Sequence, residues 1–221
     1  MQYRASNNAS TVDGVIVPIL NCPSSPLPNS RTQSTTSNGS ITYQVANYVG
    51  INGSYYQGGS STVLESPAHV ATSSYGSSVY NGVIIKAGHG SRPCKIRDIT
   101  DGTSNTVMVG EQGNYWTNNT NTQKDVRASN FSGGVWNAGR PESNQWTLNV
   151  MSIRYTINYS GVSQTGMNTA YMKHTPLNST HSGGVHMLLA DGAVRFLSEN
   201  INFPTLTALA DKSDGTVLGE Y

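Results

Sequence analysis

The stretch that decides the fold class is His181-Ser182-Gly183-Gly184-Val185-His186-Met187-Leu188-Leu189-Ala190-Asp191-Gly192, followed by Ala193-Val194-Arg195-Phe196-Leu197. Apolar residues run up to Asp191-Gly192 and away from it. An Asp-Gly pair between two apolar runs signals a β-hairpin, because a type I′ turn needs positive φ at both central residues. The expectation is a hairpin over residues 185–198 with Asp191 and Gly192 at its tip.

Working outward, residues 15–20 read as a short buried strand. Residues 23–39 are rich in Pro, Ser, Thr and Asn and read as a surface loop. Residues 41–51, 83–85, 106–111 and 150–159 read as strands, and 217–218 as a final edge strand. Residues 53–82 read as an irregular Gly/Ser/Tyr-rich insertion, and 114–149 as a polar excursion carrying Trp116, Trp136 and Trp146. Residues 97–102 read as one helical turn, capped by Asp98 and ended by Gly102. A short helix is expected over 204–211, where Pro204 suits a first turn. The sum is a β-rich α+β fold: an antiparallel sheet with long polar loops and one or two short helices. Residues 1–14 read as a flexible lead-in, and 15–221 as one globular domain.

Composition narrows the function classes. Charged residues make up 11% of the chain, against ~25% in an average soluble domain. The net charge is +1, with no basic stripe, so nucleic acid is not an expected partner. Weak charge repulsion leaves self-association open. The 12 tyrosines and 3 tryptophans argue against disorder. The 2 cysteines, Cys22 and Cys94, each stand beside a proline. In an oxidising compartment they would form a Cys22–Cys94 disulfide. The alternatives are two separate buried thiols or a shared metal site; two thiolates without further Cys/His spacing make a poor zinc cage.

Five segments in order carry a resemblance. They are Asn21-Cys22-Pro23-Ser24-Ser25-Pro26; Asn47-Tyr48-Val49-Gly50; Ile96-Arg97-Asp98-Ile99-Thr100-Asp101-Gly102-Thr103-Ser104-Asn105-Thr106 with Val109-Gly110-Glu111; the His181-x9-Asp191-Gly192 stretch; and the tail from Leu209-Ala210 to Gly219-Glu220-Tyr221. Together they resemble the planctomycete-type prepilin-like proteins, a secreted, pilin-related family with a C-terminal His-x9-Asp-Gly motif. Ser25 stands where that family usually has Asp. The resemblance implies an antiparallel sheet laid against an N-terminal helix. Its members begin with a prepilin leader and a long apolar helix, and the start of this chain resembles neither. The apolar run at 15–20 is interrupted by Pro18 and is far short of the ~20 residues that cross a bilayer. No membrane span is expected. One sheet face would then be covered by loops or by a neighbouring subunit, since an uncovered one would expose an apolar patch.

Residues able to carry chemistry are few. His181 and Asp191 stand at opposite ends of an extended strand, too far apart to share a proton. Asp191 and Gly192 are read as the turn, and His181 as an anchor at the strand start. His186 is read as a packed or surface imidazole. Asp98, Asp101, Asn105 and Glu111 form an oxygen-rich set that could ligate calcium, although capping and turn roles already account for Asp98, Asp101 and Gly102. No nucleophile elbow or phosphate loop is present. The chain is therefore expected to be no enzyme, with no cofactor beyond that calcium set. The resemblance implies an extracellular or cell-surface structural subunit, pilin- or pseudopilin-like, that self-associates into a fibre or secretion-associated structure. The alternative is a secreted carbohydrate-binding module using Tyr55, Tyr56, Trp116, Trp136 and Trp146 as stacking surfaces.

Overall fold

The computed structural model describes residues 9–34, 39–56, 70–73, 75–85, 93–137 and 148–221. In chain order the elements are helix α1 (Ala9–Val12) and strands β1 (Ser30–Ser34), β2 (Ser40–Gln44), β3 (Tyr48–Ser54), β4 (Val70–Ser73), β5 (Gly76–Val79), β6 (Val107–Glu111), β7 (Trp116–Thr117), β8 (Gln123–Lys124), β9 (Val150–Ile153), β10 (Gly184–Leu189) and β11 (Val194–Ser198), then helix α2 (Phe203–Ala210). Short 3-10 turns fill several connections. The fold is β-rich α+β, as the composition and patterning predict.

The central sheet has five strands in the order β11-β10-β6-β3-β9. Its pairs are antiparallel except β3 with β9, which run parallel. Side chains alternate between its faces. Val185, Met187 and Leu189 of β10 point to one face, with Val49, Ile51, Val107, Met151, Ile153 and Leu197. Helix α2 covers that face through Leu206, Leu209 and Ala210. Pro204 sits in its first turn and Asp211 caps its end. Gly110 lets Leu177 lie against this face: a Cβ there would meet Leu177 Cδ2 at 2.7 Å.

The other face is only partly covered. His186 pairs with Phe196 and Leu188 with Val194 across the hairpin, on the side away from α2. Val194 is 64% exposed and Phe196 45%. Leu188, Val109, Tyr48, Val150 and Ile84 continue the stripe at half burial.

Several expectations need correction. The Asp191-Gly192 hairpin exists, but not as a two-residue type I′ loop. Gly192 has φ 90°, while Asp191 is not among the residues with positive φ. Gly192 N–H donates to Leu189 O, Leu189 N–H to Ala193 O, and Ala193 N–H to Asp191 Oδ1. This is a three-residue loop in which Gly alone takes the left-handed position.

Residues 15–20 form no strand. Pro18–Leu20 is a 3-10 turn, and the Gln44 side-chain amide satisfies both Val17 N–H and Val17 O. Residues 41–51 are two strands in separate sheets, β2 with β1 and β3 in the centre. The break falls at Val45-Ala46-Asn47, whose backbone groups bond Asn29, Arg127, Ser129 and Leu20 instead of a ladder.

Residues 83–85 and 217–218 are not strands, and the strand at 150–159 ends at Ile153. The helical turn at 97–102 is two 3-10 turns, Ile96–Asp98 and Thr103–Asn105, with Gly102 (φ 98°) capping the start of the second. Residues 9–12, expected as lead-in, form α1 with Ala9 buried against Ile41, Tyr43 and Val45. No helix among the described residues is long and apolar enough to cross a membrane.

Candidate functional site

The two cysteines are not joined by a disulfide. Cys94 Sγ lies 3.5 Å from Lys95 O in its own loop, whereas Cys22 is drawn into a different partnership. The chain turns sharply after Cys22, with Ser25 N–H donating to Cys22 O. Asn47 fixes this turn: its Oδ1 accepts Cys22 N–H at 2.9 Å, its Nδ2 donates to Ser25 Oγ at 3.0 Å, and its backbone N–H donates to Leu20 O.

Glu111 ends β6 directly opposite Tyr48 of β3. It is 1% exposed. Its Oε2 accepts the backbone N–H of His186 at 3.0 Å, and His186 Nδ1 stands 3.5 Å from the same oxygen. Its Oε1 accepts no hydrogen bond. Gly113 leaves the space beside that oxygen open, since a Cβ there would lie 2.9 Å from it.

His181 sits just before β10, in a loop tied down at both ends. Its N–H donates to Ser179 Oγ, Ser179 Oγ donates to Gly184 O, and Thr180 Oγ1 donates to Ser24 O across to the Cys22 turn. The His181 Nε2 atom lies 3.5 Å from Cys22 Sγ and 3.4 Å from Glu111 Oε1. Its ring meets the His186 ring edge-on at 4.8 Å, and His186 meets Phe196 at 5.2 Å. His181 thus stands at the start of β10, as expected, and also contacts Cys22, Glu111 and His186.

Electrostatics follow from this burial. Desolvation first, with the Glu111 carboxylate adding to it, pushes the Cys22 thiol above its ordinary pKa. Burial likewise raises the Tyr48 phenol, helped by Cys22 and Glu111 nearby. Beside the cluster, an open pocket of 680 Å³ is lined by Cys22, Asn47, Ser25, Pro23, Leu27 and Ile16, among others.

Two chemistries use a thiol, an imidazole and a carboxylate. A nucleophilic relay needs the imidazole to hold the thiol with one nitrogen and the carboxylate with the other. Here Cys22 and Glu111 face the same nitrogen, Nε2, and burial disfavours the thiolate. That arrangement does not form a relay. It is a convergence of three donor atoms, all within 4.8 Å of one another, and it is the one such group of His, Cys, Asp and Glu side chains among the described residues.

The oxygen set expected to hold calcium does not assemble. Asp98 Oδ2 accepts Lys95 N–H. Asp101 accepts Asp214 N–H and Gly215 N–H from the C-terminal tail, and its backbone O accepts Asn105 Nδ2. Glu111 belongs instead to Cys22 and His181. Asp191 stays in the hairpin loop. Of the aromatics, Trp116 is 1% exposed and packs with Val126 and Met167, so it offers no stacking surface. Trp136 is 39% exposed, and Tyr55 and Tyr56 are half-buried and edge-on to each other. Trp146 lies outside the described residues.

The sequence had singled out Cys22, Glu111 and His181 separately and for other roles. What it offered was position. Cys22, Asn47-Tyr48, Glu111 and His181 belong to four of the five resembling segments, and those segments meet at this place. Comparisons with the curated proteins and with the solved structures found no match. A match to the family SBP_bac_10, described as "Protein of unknown function (DUF1559)", spans residues 1–204, and the chain therefore belongs to that family.

Proposed function

We propose that this chain is an extracellular structural subunit, pilin- or pseudopilin-like, which self-associates into a fibre or a secretion-associated surface structure. The observation that carries the reading is the unequal covering of the central sheet. One face is filled by α2 and the tail. The other presents Val194, Phe196, Leu188 and Val109 in a half-open apolar stripe. Such a stripe costs free energy in water and favours burial against another element or subunit. In the resembled family the sheet lies against a helix, and a helix or a neighbouring copy would suit this face. The low net charge of +1 offers little repulsion between copies.

Sedimentation and negative-stain microscopy of the purified chain test the proposal. Concentration-dependent assembly that Phe196→Asp abolishes, with the fold retained by circular dichroism, is the expected result. A strictly monomeric chain at high concentration argues against it. The carbohydrate-binding reading keeps support from exposed Trp136. A monomer that binds immobilised glycans, and loses them on Trp136→Ala, would favour it.

A further inference from the structure

The Cys22, Glu111 and His181 cluster is independent of how the subunit assembles, and it has the dimensions of a metal centre. In a tetrahedral zinc site with bonds of ~2.3 Å to sulfur and ~2.0 Å to nitrogen or oxygen, neighbouring donors stand roughly 3.3–3.6 Å apart. Here sulfur to nitrogen is 3.5 Å and nitrogen to oxygen is 3.4 Å. The nitrogen-to-oxygen contact is long for a hydrogen bond, and both distances match edges of a ligand tetrahedron, with all three donor atoms within 4.8 Å of one another. The buried Glu111 Oε1, which accepts no hydrogen bond, is the strongest sign. A buried carboxylate oxygen whose nearest polar neighbours are a long imidazole contact and a thiol is poorly compensated for its lost water, and a cation held by the same three atoms would compensate it.

We propose that Cys22 Sγ, Glu111 Oε1 and His181 Nε2 form a binding site for a single zinc ion, with a fourth position open to water or an exogenous ligand. The donor set of thiolate, imidazole and carboxylate suits a borderline-soft divalent ion and disfavours calcium or magnesium, which take oxygen. His181 is the open side of the site, its side chain being 27% exposed, while Glu111 closes the inner side at 1%. Outer contacts already hold the ligands in place. The His186 N–H fixes the Glu111 carboxylate through Oε2, and Asn47 fixes the Cys22 turn. Supporting bonds of this kind orient first ligands in metal sites. The Cys22 and His181 positions are 159 residues apart, so the ion would also cross-link the N-terminal loop to the hairpin.

Cobalt(II) is the probe, because a cobalt–thiolate bond gives a charge-transfer absorption and tetrahedral cobalt gives strong visible bands. Reduced, tag-free chain titrated with cobalt(II) is expected to saturate at one ion per chain with both features. Zinc added afterwards should displace the cobalt and erase them. The charge-transfer band should vanish in Cys22→Ser and survive in Cys94→Ser. His181→Gln, at a partly exposed position and with its fold checked by circular dichroism, should weaken cobalt binding roughly tenfold or more. Wild-type chain with no saturable band, a band that survives Cys22→Ser, or an unchanged affinity in His181→Gln would each overturn the proposal.

Discussion

Arg127 and Glu111 are both 1% exposed, yet they are treated in opposite ways. Every nitrogen of the Arg127 guanidinium is used. Nε and Nη2 hold the two Asp125 oxygens at 2.9 and 2.6 Å, Nη1 donates to Val45 O, and Nη2 also donates to Pro28 O. Those contacts tie the break between β2 and β3 to the loop before β1. Glu111 keeps one oxygen satisfied by the His186 N–H and leaves the other without a hydrogen bond, its neighbours being a thiol and an imidazole 3.4 Å away. A buried ion that is saturated with partners is a structural rivet. A buried carboxylate with an oxygen that no hydrogen bond satisfies is held at a cost, which is the ground for the metal site proposed above.

The contrast can be broken by substitution. Arg127→Ala should be the most damaging, because it strands Asp125 and empties the bonds to Val45 and Pro28. A loss of about 3–5 kcal/mol is expected from denaturant unfolding. A loss below about 1 kcal/mol would remove the rivet from the comparison.

Acidification comes next. His174 is fully buried, with Nε2 accepting Ser77 N–H at 3.0 Å and its ring against Gly76 and Gly166. Burial first, then the positive charges of Arg154 and Lys173, lowers its pKa from 6.5 to about 3. Between those values the unfolded chain binds a proton that the folded chain refuses. Stability is therefore complete above pH 6.5 and falls as pH drops toward 3. By pH 5 the deficit should reach about 2 kcal/mol. Melting curves of wild type and His174→Gln across that range check it: the variant, which can still accept from Ser77, should show a flatter profile.

The smallest effect sharpens the comparison most. Without metal, Glu111→Gln should change stability by less than about 1 kcal/mol, or raise it, because the lost charge had no complete set of partners. A loss as large as that of Arg127→Ala would show that Glu111 is a rivet as well.

How much was legible in the sequence depended on range. The hairpin of β10 and β11, the strand at β6 and helix α2 were readable because each is encoded within a few residues: the Asp191-Gly192 pair between apolar runs, β-branched residues at 106–111, and Pro204 in a first helical turn. The strand at 15–20 misled, because its apolar residues are exposed, Ile19 at 82%, and Gln44 from another element satisfies Val17. The single strand at 41–51 misled for a related reason, since Arg127 and Ser129 take the carbonyls of Val45 and Ala46 out of the ladder. Local pattern cannot register a backbone partner that arrives from a distant segment.

By itself the sequence determined that this chain is β-rich, that its C-terminal hairpin turns at Gly192, and which family it resembles. Only the tertiary structure decided the fate of Cys22. Composition pointed it to Cys94, while packing delivered it to His181, 159 residues away. The physical reason is that turns and alternation arise from neighbouring dihedrals and side chains, whereas a ligand cluster arises where strand register brings separate segments together. Asn47 holds one side of that meeting and Glu111, opposite Tyr48, holds the other.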